Sequence, residues 1–282
     1  NRLRSSNCIE PYATSCDGRK KSLVSSPVIC FGQQPCGIFP NRFVFSKIKT
    51  ARRLHSEIGG KIVFFLHDSD HDFRETCASL VNRHTGKTER INFEFVNKIQ
   101  KLHSPLYCKS IKPGWKEKTR RRLPNLVALE LVEIFDSVDS LNVAEFCIEM
   151  YHKMGLLEGI EIVRSSDPEL REKAIEVNDY FLDTPYEGEI VRARHQEKGF
   201  CLFKGGGKFI PIEVPVTRKS MISPARDTRL RWMQSVVHCT HYIAGEGEIQ
   251  YLNQSDAPEI EFVKRDFIER SGDAYAERKN DW

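Results

Sequence analysis

The sequence predicts an α/β fold organised around a parallel sheet, on three observations. Two apolar runs, Pro27-Val-Ile-Cys-Phe31 and Ile62-Val-Phe-Phe-Leu66, each end in a polar loop and are joined by an amphipathic segment from about Asn41 to Ile58. That is the pattern of a β-α-β unit. The second run is continuously apolar, as expected of a strand covered on both faces. Helix-like and strand-like segments then keep alternating downstream. In open parallel sheets ligands bind in the crevice outside the carboxyl ends of the strands, so a site is expected at these loops.

Taken in order, residues 1–26 are polar, with Cys8 and Cys16 bracketing a Pro/Gly-containing segment, and read as an N-terminal arm. Asn41 is a good helix N-cap, and Gly59-Gly60 stops the helix it opens. Residues 73–95 carry a mixed pattern. Residues 97–122 hold nine Lys and Arg against the single acid Glu117. This run reads either as a solvated loop or as a clamp for an anion. Leu126–Phe135 and Val143–Met154 are amphipathic helices, the second capped by Ser140 or Asn142. Ile160–Arg164 is a strand, and Ser165-Ser-Asp-Pro-Glu169 opens a helix expected to run to about Leu182.

Gly199–Pro215 changes style, because two short apolar runs flank Lys204-Gly-Gly-Gly-Lys208. A β-hairpin is the better reading of those glycines than a phosphate cradle, and no Walker loop is present. Leu230–Tyr251 is the second concentrated stretch, with Gly245 and Gly247 placed where amides at a helix start could meet an anion. The C-terminal segment, 256–282, reads as a charged, partly helical tail. The core is therefore expected to span 27–255, with an inserted segment at about 97–215.

Composition bounds the partners. With 40% hydrophobic and 29% charged residues the chain is that of a soluble globular protein. A net charge of +4 over 282 residues does not by itself argue for nucleic acid. No apolar run reaches the roughly 18 to 20 residues of a membrane span, so no membrane partner is expected. Nine scattered cysteines, several in apolar runs, suit a reduced cytoplasmic setting better than a disulfide framework. Without a Cys-x-x-Cys pair, no structural metal site is expected.

The chemistry concentrates in His67-Asp68-Ser-Asp70-His71-Asp72. Two imidazoles and three carboxylates at one strand end shift one another's pKa, which suits general acid/base work or cation binding. A polar, helix-capping loop is the bland alternative. Mg²⁺ held together with substrate phosphates fits this set better than a dedicated protein cage. Gln33-Gln34-Pro35 supplies amide donors and acceptors but no nucleophile. His238-Cys239-Thr-His241 is a weak catalytic pair, because adjacent strand residues point to opposite faces.

Phe31-Gly-Gln-Gln-Pro-Cys-Gly37, then Lys47, then Asp70-His-Asp-Phe73, resembles the core of the bacillithiol-biosynthesis cysteine-adding enzymes. The resemblance continues in Tyr151-His-Lys-Met-Gly-Leu-Leu157, in Asp167-Pro-Glu-Leu-Arg171, in Leu230-Arg231 with Gln234, and in Ala244-Gly-Glu-Gly-Glu-Ile-Gln-Tyr251. Ser69, Trp232, Ser235 and Glu246 depart from it, standing where the family has Glu, Pro, Asp and Pro. The family's long coiled coil also has no counterpart here. The resemblance implies a Rossmann-like core related to class I aminoacyl-tRNA synthetases and nucleotidyltransferases, with a connecting-peptide-type insertion. It further implies a nucleotide-driven joining of cysteine to an acceptor, with ATP or ADP and Mg²⁺ as cofactors.

On this reading Asp68, Asp70, His71 and Asp72 are the catalytic candidates. Gln33, Gln34, Lys47, Gly245 and Gly247 are expected to hold the cofactor, and Arg231, Gln234 and Glu248 a small amine, thiol or carboxylate substrate. A non-catalytic protein that recognises a nucleotide-like ligand or an RNA end is the alternative, favoured by the basic 97–122 run.

Overall fold

The computed structural model describes residues 26–252, 257–270 and 272–276. All but the last residue of the expected N-terminal arm, Cys8 and Cys16 included, lies outside the described residues.

The β-α-β unit is formed by β1 (Val28–Gln33), α1 (Arg42–Ile58) and β2 (Lys61–Leu66). Its signals act as the chemistry requires. The Asn41 side chain accepts from the Val44 amide at 3.0 Å, and Gly59 closes α1 at φ 71°. A hairpin of β3 (Ala78–Val81) and β4 (Thr88–Ile91) follows. Then come α2 (Lys98–His103), α3 (Trp115–Arg122), α4 (Leu129–Asp136) and α5 (Val143–Lys153). The chain returns to the sheet as β5 (Ile160–Arg164), leaves through α6 (Pro168–Lys173), and builds β6 (Tyr180–Tyr186), β7 (Glu189–Gln196), β8 (Gly199–Gly205), β9 (Lys208–Ile212) and β10 (Ile222–Pro224). It closes with α7 (Arg229–Val237), β11 (His241–Ala244), α8 (Glu246–Tyr251) and β12 (Glu261–Lys264).

The central sheet is parallel throughout, in the order β12-β11-β1-β2-β5. Both faces are covered, and the period of two along the strands divides the core accordingly. Ile29, Phe31, Ile62, Phe64 and Leu66 pack on one side with α1 and α5. Cys30, Val63 and Phe65 pack on the other against Leu230, Trp232 and Met233 of α7. The strand order reverses between β1 and β11, and a crevice opens at that point beyond the strand ends. A second, antiparallel sheet, β10-β6-β7-β8-β9, stands beside it.

Several expectations change. The helix expected from Ser165 to Leu182 ends at Lys173, because residues 181–186 pair with β7 and that pairing overrides the local pattern. The stretch expected as one insertion at 97–215 contains β5, so the parallel sheet is left twice, before and after that strand. The segment read as a helical tail supplies β12, the edge strand, while Tyr275 stacks on Phe45 at 3.4 Å between ring centroids.

The basic run is mostly helical and not a loop, and several of its charges face partners on the same body: Lys118 meets Glu94, Arg120 meets Asp136 and Arg122 meets Glu89. Lys109 is fully buried, with its ammonium donating to the carbonyls of Gln100 and Lys101 at the end of α2. The Gly205–Gly207 stretch is a hairpin turn, all three residues at positive φ, where side chains would be strained.

Candidate functional site

Two cavities open at the carboxyl edge of the parallel sheet. The first, about 220 Å³, lies at the β1/β11 reversal and is lined by Gln33, Gln34, Tyr242 and Glu248. The second, about 210 Å³, is lined by Asp70, His71, Ser69 and, from the antiparallel sheet, Arg192. His67, Arg226 and Arg229 line both and form the wall between them. Gly32 sits where a Cβ would come within 2.6 Å of both His67 Nε2 and Tyr242 Oη, so a side chain there would collide with the cavity lining.

Asp70 is the hub. One carboxylate oxygen accepts from the His71 amide at 2.6 Å and lies 3.5 Å from Arg192 Nη1, and the other accepts from Gln34 Nε2 at 3.2 Å. Burial pushes its pKa up, but Arg192, His71 and Arg229 outweigh that and hold the carboxyl below the usual carboxylate range. His71 is pushed down to about 4, first by burial and then by Arg192, whose Nη1 is 3.4 Å from its Nδ1. His67 is lowered too, by burial and then by Arg229. At neutral pH the second cavity therefore presents the Asp70 carboxylate, two neutral imidazoles and four arginines, Arg192, Arg194, Arg226 and Arg229.

The arginines differ in freedom. Arg192 is buried and fixed, donating to Ser223 Oγ and the Pro224 carbonyl while its guanidinium covers the Phe181 ring at 3.9 Å. Arg226 is exposed and reaches Asp227 at 2.8 Å. Arg229, the first residue of α7, has a guanidinium with no hydrogen-bond or ion-pair partner among the described residues.

Several expected site residues sit elsewhere. Asp68 is fully buried and already saturated, accepting from Arg164 Nε, Ser165 Oγ, and the amide and hydroxyl of Ser166. It ties β2 to the end of β5 and cannot reach a ligand. Asp72 points away and grips Arg74 at 2.6 Å. Lys47 is neither solvated nor free: its ammonium is buried, donating to the Gly32 carbonyl at 2.9 Å and to Glu248 at 2.6 Å. It braces the floor of the first cavity. Glu248 does line that cavity, with one oxygen committed to Lys47.

The Gly245 amide faces the same Glu248 carboxylate at 3.4 Å, so it is not offered to an anion, and neither Gly245 nor Gly247 lines either cavity. Gln234 is buried and closes the turn after α7 by bonding Cys239. Arg231 lies on the surface, paired with Glu259 at 2.8 Å. Of the expected residues, the structure thus brings together Gln33, Gln34, Asp70, His71 and Glu248. The weak His238/Cys239/His241 reading finds no support, because Cys239 is buried and donates to Gln234.

The arginines that sequence reasoning passed over are Arg192, Arg194, Arg226 and Arg229. Arg192 comes from a strand of the second sheet and carries no local signal. For Arg229 the signal was partial: it and Arg231 are two apart at a helix start, about 200° around the axis, so only one can face the sheet edge, and the spacing does not say which. Among the described residues no three His, Cys, Asp or Glu side chains gather as a metal-binding set, and no helix is long and apolar enough to cross a membrane.

The lowered pKa of His71 carries a stability consequence. A histidine whose folded pKa lies below its unfolded value contributes full stability above the unfolded pKa and loses it as pH falls toward the folded one. Acidification from pH 6.5 to about 4 is thus expected to remove on the order of 2–3 kcal/mol through His71. Asp70, also depressed, adds its loss at lower pH still. Thermal melts from pH 7.5 to 4 should show this slope, and His71→Gln should flatten it; an unchanged slope would refute the burial of a neutral imidazole.

No protein-family model matches the chain, and no curated protein matches it in sequence.

Proposed function

We propose that the chain is a ligase or transferase that joins a small anionic substrate to an amine or thiol with the help of a nucleotide. We place its core with the Rossmann-like nucleotidyltransferases and class I synthetases. The observation that carries this reading is Arg229, whose guanidinium makes no hydrogen bond or ion pair among the described residues, on the wall shared by two cavities at the strand-order reversal. An arginine in that position favours a carboxylate or phosphate, which it can meet with two parallel hydrogen bonds.

The residues present suit a polyphosphate. Arg226 and Arg229 reach both cavities, and the Asp70 carboxylate could hold Mg²⁺ that keeps most of its ligands as water and phosphate. A nucleoside triphosphate with Mg²⁺ would supply the activation of a carboxylate. The chain's own groups do the rest. Gln33 and Gln34 orient the substrate by amide hydrogen bonds, and Asp70 holds Arg192 and the His71 backbone in place.

His71 is too weak a base at about pKa 4 to take a proton at neutral pH. An anion bound between Arg192 and Arg229 offsets the positive charges that depress it, so base strength rises once substrate is in place. When an attacking amine forms its bond to the activated carbonyl and the phosphate leaves, the amine's proton then has an acceptor in reach.

The test is turnover of ATP by purified protein with Mg²⁺, cysteine and pooled metabolites, with product identified by mass. Asp70→Asn and His71→Ala are expected to reduce turnover by at least about 100-fold. Failure to consume ATP with any substrate would sink the ligase reading in favour of a non-catalytic binder, and unchanged activity in both variants would remove the site assignment.

A further inference from the structure

The second sheet turns one face toward the site, and that face is not built as a core. The small apolar core of this sheet, Val191, Ala193 and Leu202, lies on the opposite side. On the site side, the register places Phe181 beside Arg194 and Arg194 beside Cys201, while Phe203 pairs directly with Phe209. Phe203 and Phe209 are 52% and 48% exposed, far more than packing would leave a phenylalanine pair, with ring centroids 5.4 Å apart. They line a cavity of about 370 Å³ that also includes Gln196 and His103. This cavity shares His71, Phe181, Arg192 and Arg194 with the Asp70 cavity, so the two adjoin across those side chains.

The nearest charges on this face are Arg192 and Arg194. Arg194 lies 4.8 Å over the Phe181 ring and pairs with Asp179. Lys204 and Lys208 flank the hairpin turn and are exposed, each next in sequence to one of the two rings. Exposed aromatic rings at one end of a cavity of this size, with Arg192 and Arg194 in its lining, match a planar aromatic group attached to an anion. Gln196 and His103 add the hydrogen-bonding edges that a base requires and an apolar peptide does not.

We propose that the nucleobase of a nucleoside phosphate stacks on Phe203 and Phe209, with its phosphates running past Arg192 toward Arg229. The base is thereby held on the second sheet and not at the β1/β11 reversal, where the first cavity is left to the other substrate. This rests on the nucleotide-using reading of the site and adds where the nucleotide lies.

Calorimetric titration with ATP and with inorganic tripolyphosphate tests it. ATP is expected to bind at least about tenfold more tightly than tripolyphosphate. The double variant Phe203→Ala/Phe209→Ala should reduce ATP to the tripolyphosphate level and leave tripolyphosphate unchanged. Both rings are half-exposed, so the variant should fold, as circular dichroism would verify. Equal affinities, or ATP binding unaffected in the double variant, would overturn the platform. If Arg229→Gln still weakened tripolyphosphate binding in that case, the anion site would stand without the platform. Binding of neither probe would overturn both. An oligoadenylate that binds far more tightly than ATP, and loses that advantage in the double variant, would assign the face to single-stranded nucleic acid and overturn the nucleotide assignment.

Discussion

Replacing Asp68 by alanine is expected to destabilise the protein by about 3–5 kcal/mol, the range for removing one partner of a buried ion pair. The loss is large because the carboxylate is fully buried and accepts four hydrogen bonds, two of them at 2.7 Å or less. Without it, Arg164 loses its buried counter-ion and the Ser166 amide and hydroxyl lose their acceptor. For a chain of this size the midpoint of thermal unfolding should fall by roughly 10 °C. The folded fraction should still bind ligand, because Asp68 lines neither cavity. Thermal unfolding paired with a binding titration below the transition decides the matter. A variant that melts like the parent but no longer binds would return Asp68 to the catalytic set.

Arg229→Gln is expected to do the reverse. Its guanidinium makes no hydrogen bond or ion pair with the described residues and gives up only the longer-range attraction to Asp70, so stability should change by no more than about 1 kcal/mol. Affinity for tripolyphosphate should drop about 10- to 100-fold, the worth of a charge-assisted hydrogen-bonded contact. Arg231→Gln, two residues along the same helix, should leave affinity unchanged, since Arg231 faces Glu259 at the surface. Calorimetric titration of the three proteins gives a direct reading. Equal affinity in the parent and the Arg229 variant, or loss in the Arg231 variant alone, would move the anion site elsewhere.

These two expectations run against what the motifs alone would select, and the reason is physical. The sequence by itself determined the β-α-β unit, because strand and helix periods, the Asn41 cap and the Gly59 stop are local signals. It also determined that Gln33, Gln34, Asp70 and His71 would lie at neighbouring strand ends, since parallel strands joined by one helix put their outgoing loops on one edge. A motif of acids and histidines does not say which member is free. Asp68 and Asp70 are two residues apart, yet one is consumed by Arg164 and Ser166, 96 and 98 residues away, and the other opens into a cavity. Lys47 was likewise consumed by Glu248, 201 residues on.

Only the tertiary structure decided those pairings, along with the strand of the second sheet that delivers Arg192 to Asp70. It also decided which of two arginines on α7 meets the crevice. Local pattern sets which face of an element is apolar. The fate of a charge depends on what the fold brings opposite it, and burial makes that choice matter by several kcal/mol.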